Sequence, residues 1–150
     1  MVNFSNKAHS VSFTTKLEKI EGRNNQVYYS CIIWFNVVKG FNSEDKISIT
    51  LSPLELRTLG HAINELLVTG RSSYGKYADT SASRYAKDTN QKKSIFVNTK
   101  DNVYYINVNI NNKPLGIAYT MLEFNSIKDA IENLANTIDN KLFELNSLGL

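Results

Sequence analysis

Tyr74, Lys76, Tyr77, Arg84, Tyr85 and Lys87 set aromatic rings among cations within residues 71–93, RSSYGKYADTSASRYAKDTNQKK. Unpaired nucleobases expose π-faces beside phosphates. Rings that stack, interleaved with cations that seek phosphate, therefore suit sequence-tolerant binding of a single strand. More aromatic residues, Tyr28, Trp34, Tyr104, Tyr105 and Tyr119, fall on strand-like runs, with Lys46, Lys92, Lys93 and Lys100 near them. Strand packing accounts for each tyrosine taken alone, so the signal is collective. Duplex readers place a basic helix in the major groove, and neither helical pattern in this chain is basic enough.

The chain holds no constellation that reads as catalytic. His9 and His61 are its two histidines, and neither neighbours a cysteine or carboxylate cluster with metal-ligand spacing. No glycine-rich loop follows a strand to cradle a phosphate. The pair Glu44-Asp45 lies in a turn, and the strand-like runs are poor in the acids a metal-dependent nuclease would gather at strand ends. Cys31 sits in an apolar run and reads as a small core residue. No catalytic residue, metal site or cofactor is expected.

Charge narrows the partner. The chain is +3 overall, but residues 71–100 carry seven cations against two anions, while the remainder carries ten against twelve. Basic character concentrated in one segment suggests a polyanion. The start MVNFSNKAH lacks an apolar signal core, and no apolar run reaches membrane-spanning length. These features read as an intracellular protein without membrane association, in the cytoplasm or nucleoid of a bacterial or phage-infected cell, or in a nucleus.

The elements that must position these residues follow from periodicity. At 150 residues, 42% hydrophobic and 21% charged, the chain has the size and balance of one domain. Strands are predicted over 11–20, 26–38 and 46–52, the second apolar on both faces. Ser52-Pro53-Leu54-Glu55 is a capping box with proline at the first helical position. Leu56, Leu59, Ile63, Leu66 and Leu67 then keep helical spacing until Gly70 stops the helix. Strands are predicted again over 93–99, 103–110 and 115–121. Ser126 is the expected cap of a second helix, with Asp129 in the box position and Ile127, Ile131, Leu134, Ile138, Leu142 and Leu145 as its stripe. The expected fold is therefore α+β: two strands-then-helix units, 1–70 and 93–150, around a helical core, separated by the basic insertion 71–92. The duplication is one of architecture, without obvious identity between residues. The insertion exceeds the length of ordinary connections. It reads as a flap closing over a bound strand, or else as a connector with incidental charge.

Residues 46–67, KISITLSPLELRTLGHAINELL, resemble the positive-cofactor-four transcription coactivators in their alternating strand, Ser-capped turn and Leu-rich helix. The doubled layout is similar to the Whirly proteins of the same superfamily. The resemblance implies antiparallel sheets that bind single-stranded DNA, projecting from helices through which copies oligomerise. It carries onto Lys46, on the matching strand, and onto Lys76, in the loose echo Tyr74-Gly75-Lys76-Tyr77-Ala78 of a Whirly motif. The chain departs from the family in offering three clear strands per unit where the family has four.

The resulting expectation is a non-catalytic single-stranded DNA-binding protein of replication, recombination or transcription, with low sequence specificity. Its contacts would be Lys46, Tyr74, Lys76, Tyr77, Arg84, Tyr85, Lys87, Lys92, Lys93, Lys100, Trp34 and Tyr104. Because the second stripe is long for a helix covering three strands, a homo-oligomer, dimeric or larger, is expected through the C-terminal helix. The alternatives are an RNA-binding protein, an assembly protein that binds no nucleic acid and, third, a small nuclease.

Overall fold

Strand parity decides which side of each sheet is covered. In VYYINVNI, Tyr104, Ile106 and Val108 form an unbroken apolar set, while the alternate positions bring Asn107 and Asn109. The first set is buried and the second is not. The computed structural model describes residues 2–6, 9–39, 46–71, 75, 93–110 and 113–148. The order is β1 (Val2–Asn3), β2 (His9–Glu21), a 3-10 turn (Arg23–Asn25), β3 (Val27–Lys39), β4 (Lys46–Leu51), α1 (Pro53–Thr69), β5 (Lys93–Lys100), β6 (Val103–Ile110), β7 (Lys113–Tyr119) and α2 (Met121–Leu148). The fold is α+β. Two antiparallel sheets, ordered β1-β2-β3-β4 and β5-β6-β7, lay their apolar faces on two helices that pack on each other.

The core takes one parity from every long strand: Val11 and Phe13, Ile33, Phe35 and Val37, Ile49 and Leu51, Ile95 and Val97, Ile106 and Val108, and Ile117. Leu56, Leu59 and Ile63 meet them from α1, and Phe124, Ile127 and Ile131 from α2. Hydrogen bonds link the sheets at both margins. Lys93 Nζ donates to the Ser48 carbonyl at 2.8 Å. On the other side Asn6 Nδ2 donates to Ala118 O at 3.1 Å, and the Tyr119 hydroxyl donates to Phe4 O at 3.0 Å.

Four details correct or extend the sequence reading. The first sheet has four strands, because Val2 and Asn3 pair with Phe13 and Ser12. The apolar run at 26–38 is one continuous strand, paired with β2 along its whole length. The second helix starts at Met121, five residues before the expected cap. Thr120 N donates to Glu123 Oε1 at 2.9 Å and Glu123 N to Thr120 Oγ1 at 3.1 Å, which closes a reciprocal box. Ser126 sits inside the helix and donates its hydroxyl to Leu122 O. Burial decides the matter: Phe124 is fully enclosed against the rings of Tyr104 and Tyr119, so the first turn must form there. Finally, the long stripe of α2 is used within the chain. Ile127, Ile131 and Ile138 are buried and Leu134 and Leu142 pack against the core. At the far end the Asn146 amide accepts from Tyr29 N at 2.7 Å and donates to Tyr29 O at 3.1 Å.

Aligned by their ladders, the two sheets also repeat residue by residue. Thr14, Trp34 and Thr50 stand in one cross-strand row, as do Asn98, Tyr105 and Ala118. One pair further, Ser12, Asn36 and Ser48 match Phe96, Asn107 and Gly116. In the other direction Lys16 matches Lys100. The box Ser52–Glu55 then matches Thr120–Glu123.

Thr120→Ala is expected to cost about 1 kcal/mol of stability, the usual worth of such a cap, and Ser126→Ala close to nothing; urea unfolding of both variants checks this. Burial, with the Glu123 carboxylate adding to it, pushes the Tyr119 phenol well above its ordinary value. The unfolded chain then releases this proton first, so stability falls as pH rises beyond about 10. Tyr119→Phe should lose about 1 kcal/mol at neutral pH with the bond to Phe4, but show a shallower alkaline decline.

Candidate nucleic-acid interface

With the helices on the inner faces, the outer faces are the surfaces a ligand could lie along. On the first sheet Trp34 is half-buried in its row between Thr14 and Thr50. Asn36 locks the neighbouring row: its Nδ2 donates to Thr14 Oγ1 at 2.9 Å, and its Oδ1 accepts from Ser48 Oγ at 2.7 Å. Lys16 and Lys46 are exposed and share this parity. Glu18, nearly enclosed, is an acid on the same face.

The second sheet offers a different surface. Phe96, 37% exposed, and half-buried Tyr105 are diagonal neighbours across β5 and β6. Asn107 Nδ2 donates to Asn98 Oδ1 and, at 3.4 Å, to Phe96 O. Asn109 Nδ2 donates to Ser94 Oγ at 3.2 Å. Lys100 is exposed at the end of β5, where Asp101 and Asn102 adopt positive φ (53° and 63°) to close the hairpin. The outer-parity positions, from Ser94 through Lys100, Val103 through Asn109 and Pro114 through Ala118, include no carboxylate.

The residues expected from sequence divide accordingly. Trp34, Lys46 and Lys100 lie on outer faces. Tyr104 does not: it is 7% exposed, with its ring centroid 5.4 Å from that of Phe124, and it belongs to the core. Lys93 takes the inner parity, and its ammonium is engaged by the Ser48 carbonyl. Tyr74, Lys76, Tyr77, Arg84, Tyr85, Lys87 and Lys92 lie outside the described residues. Phe96, Tyr105, Lys16, Asn98 and Asn107 are the additions to those contacts. The signal for them is present, since each shares parity with polar residues while the alternate parity carries Val11 and Phe13, Ile95 and Val97, or Ile106 and Val108.

Other features give no converging chemistry. Burial, reinforced by Glu18 and partly offset by the Lys16 backbone, pushes the Cys31 thiol up, which disfavours the thiolate. Among the described residues no group of three His, Cys, Asp or Glu could hold a metal, and no helix is long and apolar enough to cross a membrane. A groove of about 250 Å³ between the helices, lined in part by Arg57, His61, Lys128 and Glu132, mixes both charges. It lies between the helices, away from the outer faces.

No family model and no curated protein matches the chain. Among solved structures, the crystal structure of WHY1 from Arabidopsis thaliana, a Whirly protein, is similar. The TM-score is 0.56 at 15% identity, over 87% of this chain and 80% of that one. The fold is Whirly-like. Identity this low speaks for architecture alone, so function must be argued from the surfaces.

Lys93→Met is expected to lower stability, because it removes a bond between the two sheets, and to leave any polyanion binding with an unchanged salt slope. Lys100→Ala should leave the unfolding midpoint in place and reduce the slope of log affinity against log salt by about 1.

Proposed function

We propose that this chain is a non-catalytic single-stranded DNA-binding protein of low sequence specificity, acting in replication, recombination or transcription. The observation that carries this reading is the outer face of the second sheet. There Phe96 and Tyr105 stand among amides, with Lys100 at the margin and no carboxylate on the strands. Such a face offers unpaired bases stacking and hydrogen bonds, and phosphates a cation. The equivalent row on the first sheet, Trp34 with Lys16 and Lys46, supplies a second aromatic surface flanked by cations, with Glu18 nearly enclosed on the same face. The choice of DNA over RNA rests on the resemblance to Whirly proteins, whose architecture this chain shares. The basic, tyrosine-bearing residues 71–92 add the cations Lys76, Arg84, Lys87 and Lys92 to the same reading.

The reading includes a homo-oligomer, dimeric or larger, with α2 at the interface. Leu122 and Phe143, 79% and 77% exposed on that helix, support it.

Titration with single-stranded DNA, duplex DNA and RNA of matched length at two salt concentrations tests the proposal. Single-stranded DNA is expected to bind best, and more weakly as salt rises. Phe96→Ala and Tyr105→Ala should each weaken binding by roughly 5- to 150-fold, the worth of a base–aromatic stack, without unfolding the protein. Equal and weak binding to all three nucleic acids would sink the proposal. Metal-dependent cleavage of a labelled strand would overturn its non-catalytic part.

A further inference from the structure

The two outer faces repeat one another, but their hydrogen-bond networks end differently. On the first sheet Asn36 is closed. Its amide nitrogen reaches Thr14, its oxygen accepts from Ser48, and only 6% of it is exposed. On the second sheet Asn107 makes the equivalent bond, to Asn98, but the position of Ser48 is taken by Gly116. A Cβ at Gly116 would stand 3.0 Å from Asn107 Oδ1, so the missing side chain is what leaves that oxygen uncovered. Asn107 Oδ1 has no donor among the described residues, and the amide nitrogen of Asn98, whose oxygen accepts from Asn107, has no acceptor among them. An acceptor and a donor, each with its orientation fixed by the bond between the two amides, therefore open beside Phe96 and Tyr105. Glycine in a strand interior weakens the strand and often marks the close approach of another group.

Building on the proposed single-strand binding, we infer that the second sheet reads base identity through Asn107 Oδ1 and Asn98 Nδ2, whereas the first sheet, whose amide is closed by Ser48, only stacks. A base resting on Phe96 or Tyr105 presents its edge to these amides. Edges differ in where they offer a donor or an acceptor, and a mismatched edge leaves a polar group without a partner. Selectivity of this kind belongs to bases that are unpaired, because pairing occupies the same edges.

The repeat itself supplies the test. Asn98→Thr with Gly116→Ser installs on the second sheet the hydroxyls that Thr14 and Ser48 supply on the first, a combination that the first sheet already accommodates. Binding of labelled dT, dC and dA homopolymers of matched length is measured by fluorescence anisotropy for the wild type and the double variant, with melting curves alongside. The wild type is expected to separate the strongest from the weakest homopolymer by about 5-fold or more, the discrimination that one unmade hydrogen bond gives. The double variant should bring the three within about 2-fold of one another at an unchanged salt slope. Asn98→Thr alone leaves the tight space at Gly116 untouched and should reduce the discrimination partway, so the test survives if the double variant fails to fold. Equal wild-type affinities, or discrimination retained in the folded variants, would overturn the inference while leaving single-strand binding intact. Absence of binding to all three would remove the reading on which it rests.

Discussion

The close crossing of α1 and α2 is the constraint on which the rest of the molecule depends. At Gly60 the helices approach until an added Cβ would lie 3.1 Å from Ile131 Cγ2. Contact that close joins Leu59 and Ile63 to Ile127 and Ile131 in one core, and at its rim Arg57 reaches across to Asn136 and Asp139. Each helix then spends most of its apolar side on the other helix and on the inner face of a sheet, with Leu122 and Phe143 of α2 left exposed. The outer faces are consequently left without helical cover, and what they display is set by strand parity alone. That is why a short list of residues, Trp34, Phe96, Tyr105 and their amide neighbours, becomes a surface.

How far this could be read from sequence depended on whether the deciding force was local. The start of α1 was legible because Ser52, Pro53 and Glu55 carry the cap among themselves, and the box forms as expected. The start of α2 was misread because Ser126 and Asp129 imitate a cap, while the true one at Thr120 and Glu123 is selected by the burial of Phe124. Tyr104 and Tyr105 show the same contrast in a strand. Composition makes them equivalent, but the alternation of Ile106 and Val108 against Asn107 and Asn109 already assigns one inward and one outward. The two-residue strand Val2–Asn3 had no local signal, since it is defined by pairing with Phe13 and Ser12. The repeat between sheets was hidden because equivalent strands, turns and helices are separated by different numbers of residues. Register had to supply the alignment.

The unequal helices follow from the unequal sheets. The β2–β3 hairpin runs on past β4, which pairs only with residues from Ile33 to Val38. The earlier part of β3 would present an open edge on that side, a template for unwanted pairing. The 28-residue α2 extends far enough to meet it, and the Asn146 amide takes both the N–H and the carbonyl of Tyr29 as a neighbouring strand would. The 17-residue α1 has no such edge to reach and stops at Gly70, in the left-handed conformation at φ 72°. Helix length in this chain is thus set by what the helix must cover at its far end, which explains a stripe longer than three strands need.

A duplicated surface also changes what each copy must achieve. A ligand that is itself a polymer can engage both outer faces, and the second contact is then made at a high effective concentration, so neither face needs to bind tightly alone. Duplication of this kind also relaxes the demand that the copies stay identical. One row can keep Asn36 sealed between Thr14 and Ser48 and serve as a rigid stacking floor, while the other loses a side chain at Gly116 and opens its amide. On the proposed reading, holding a strand and distinguishing its bases are divided between two surfaces that share one scaffold.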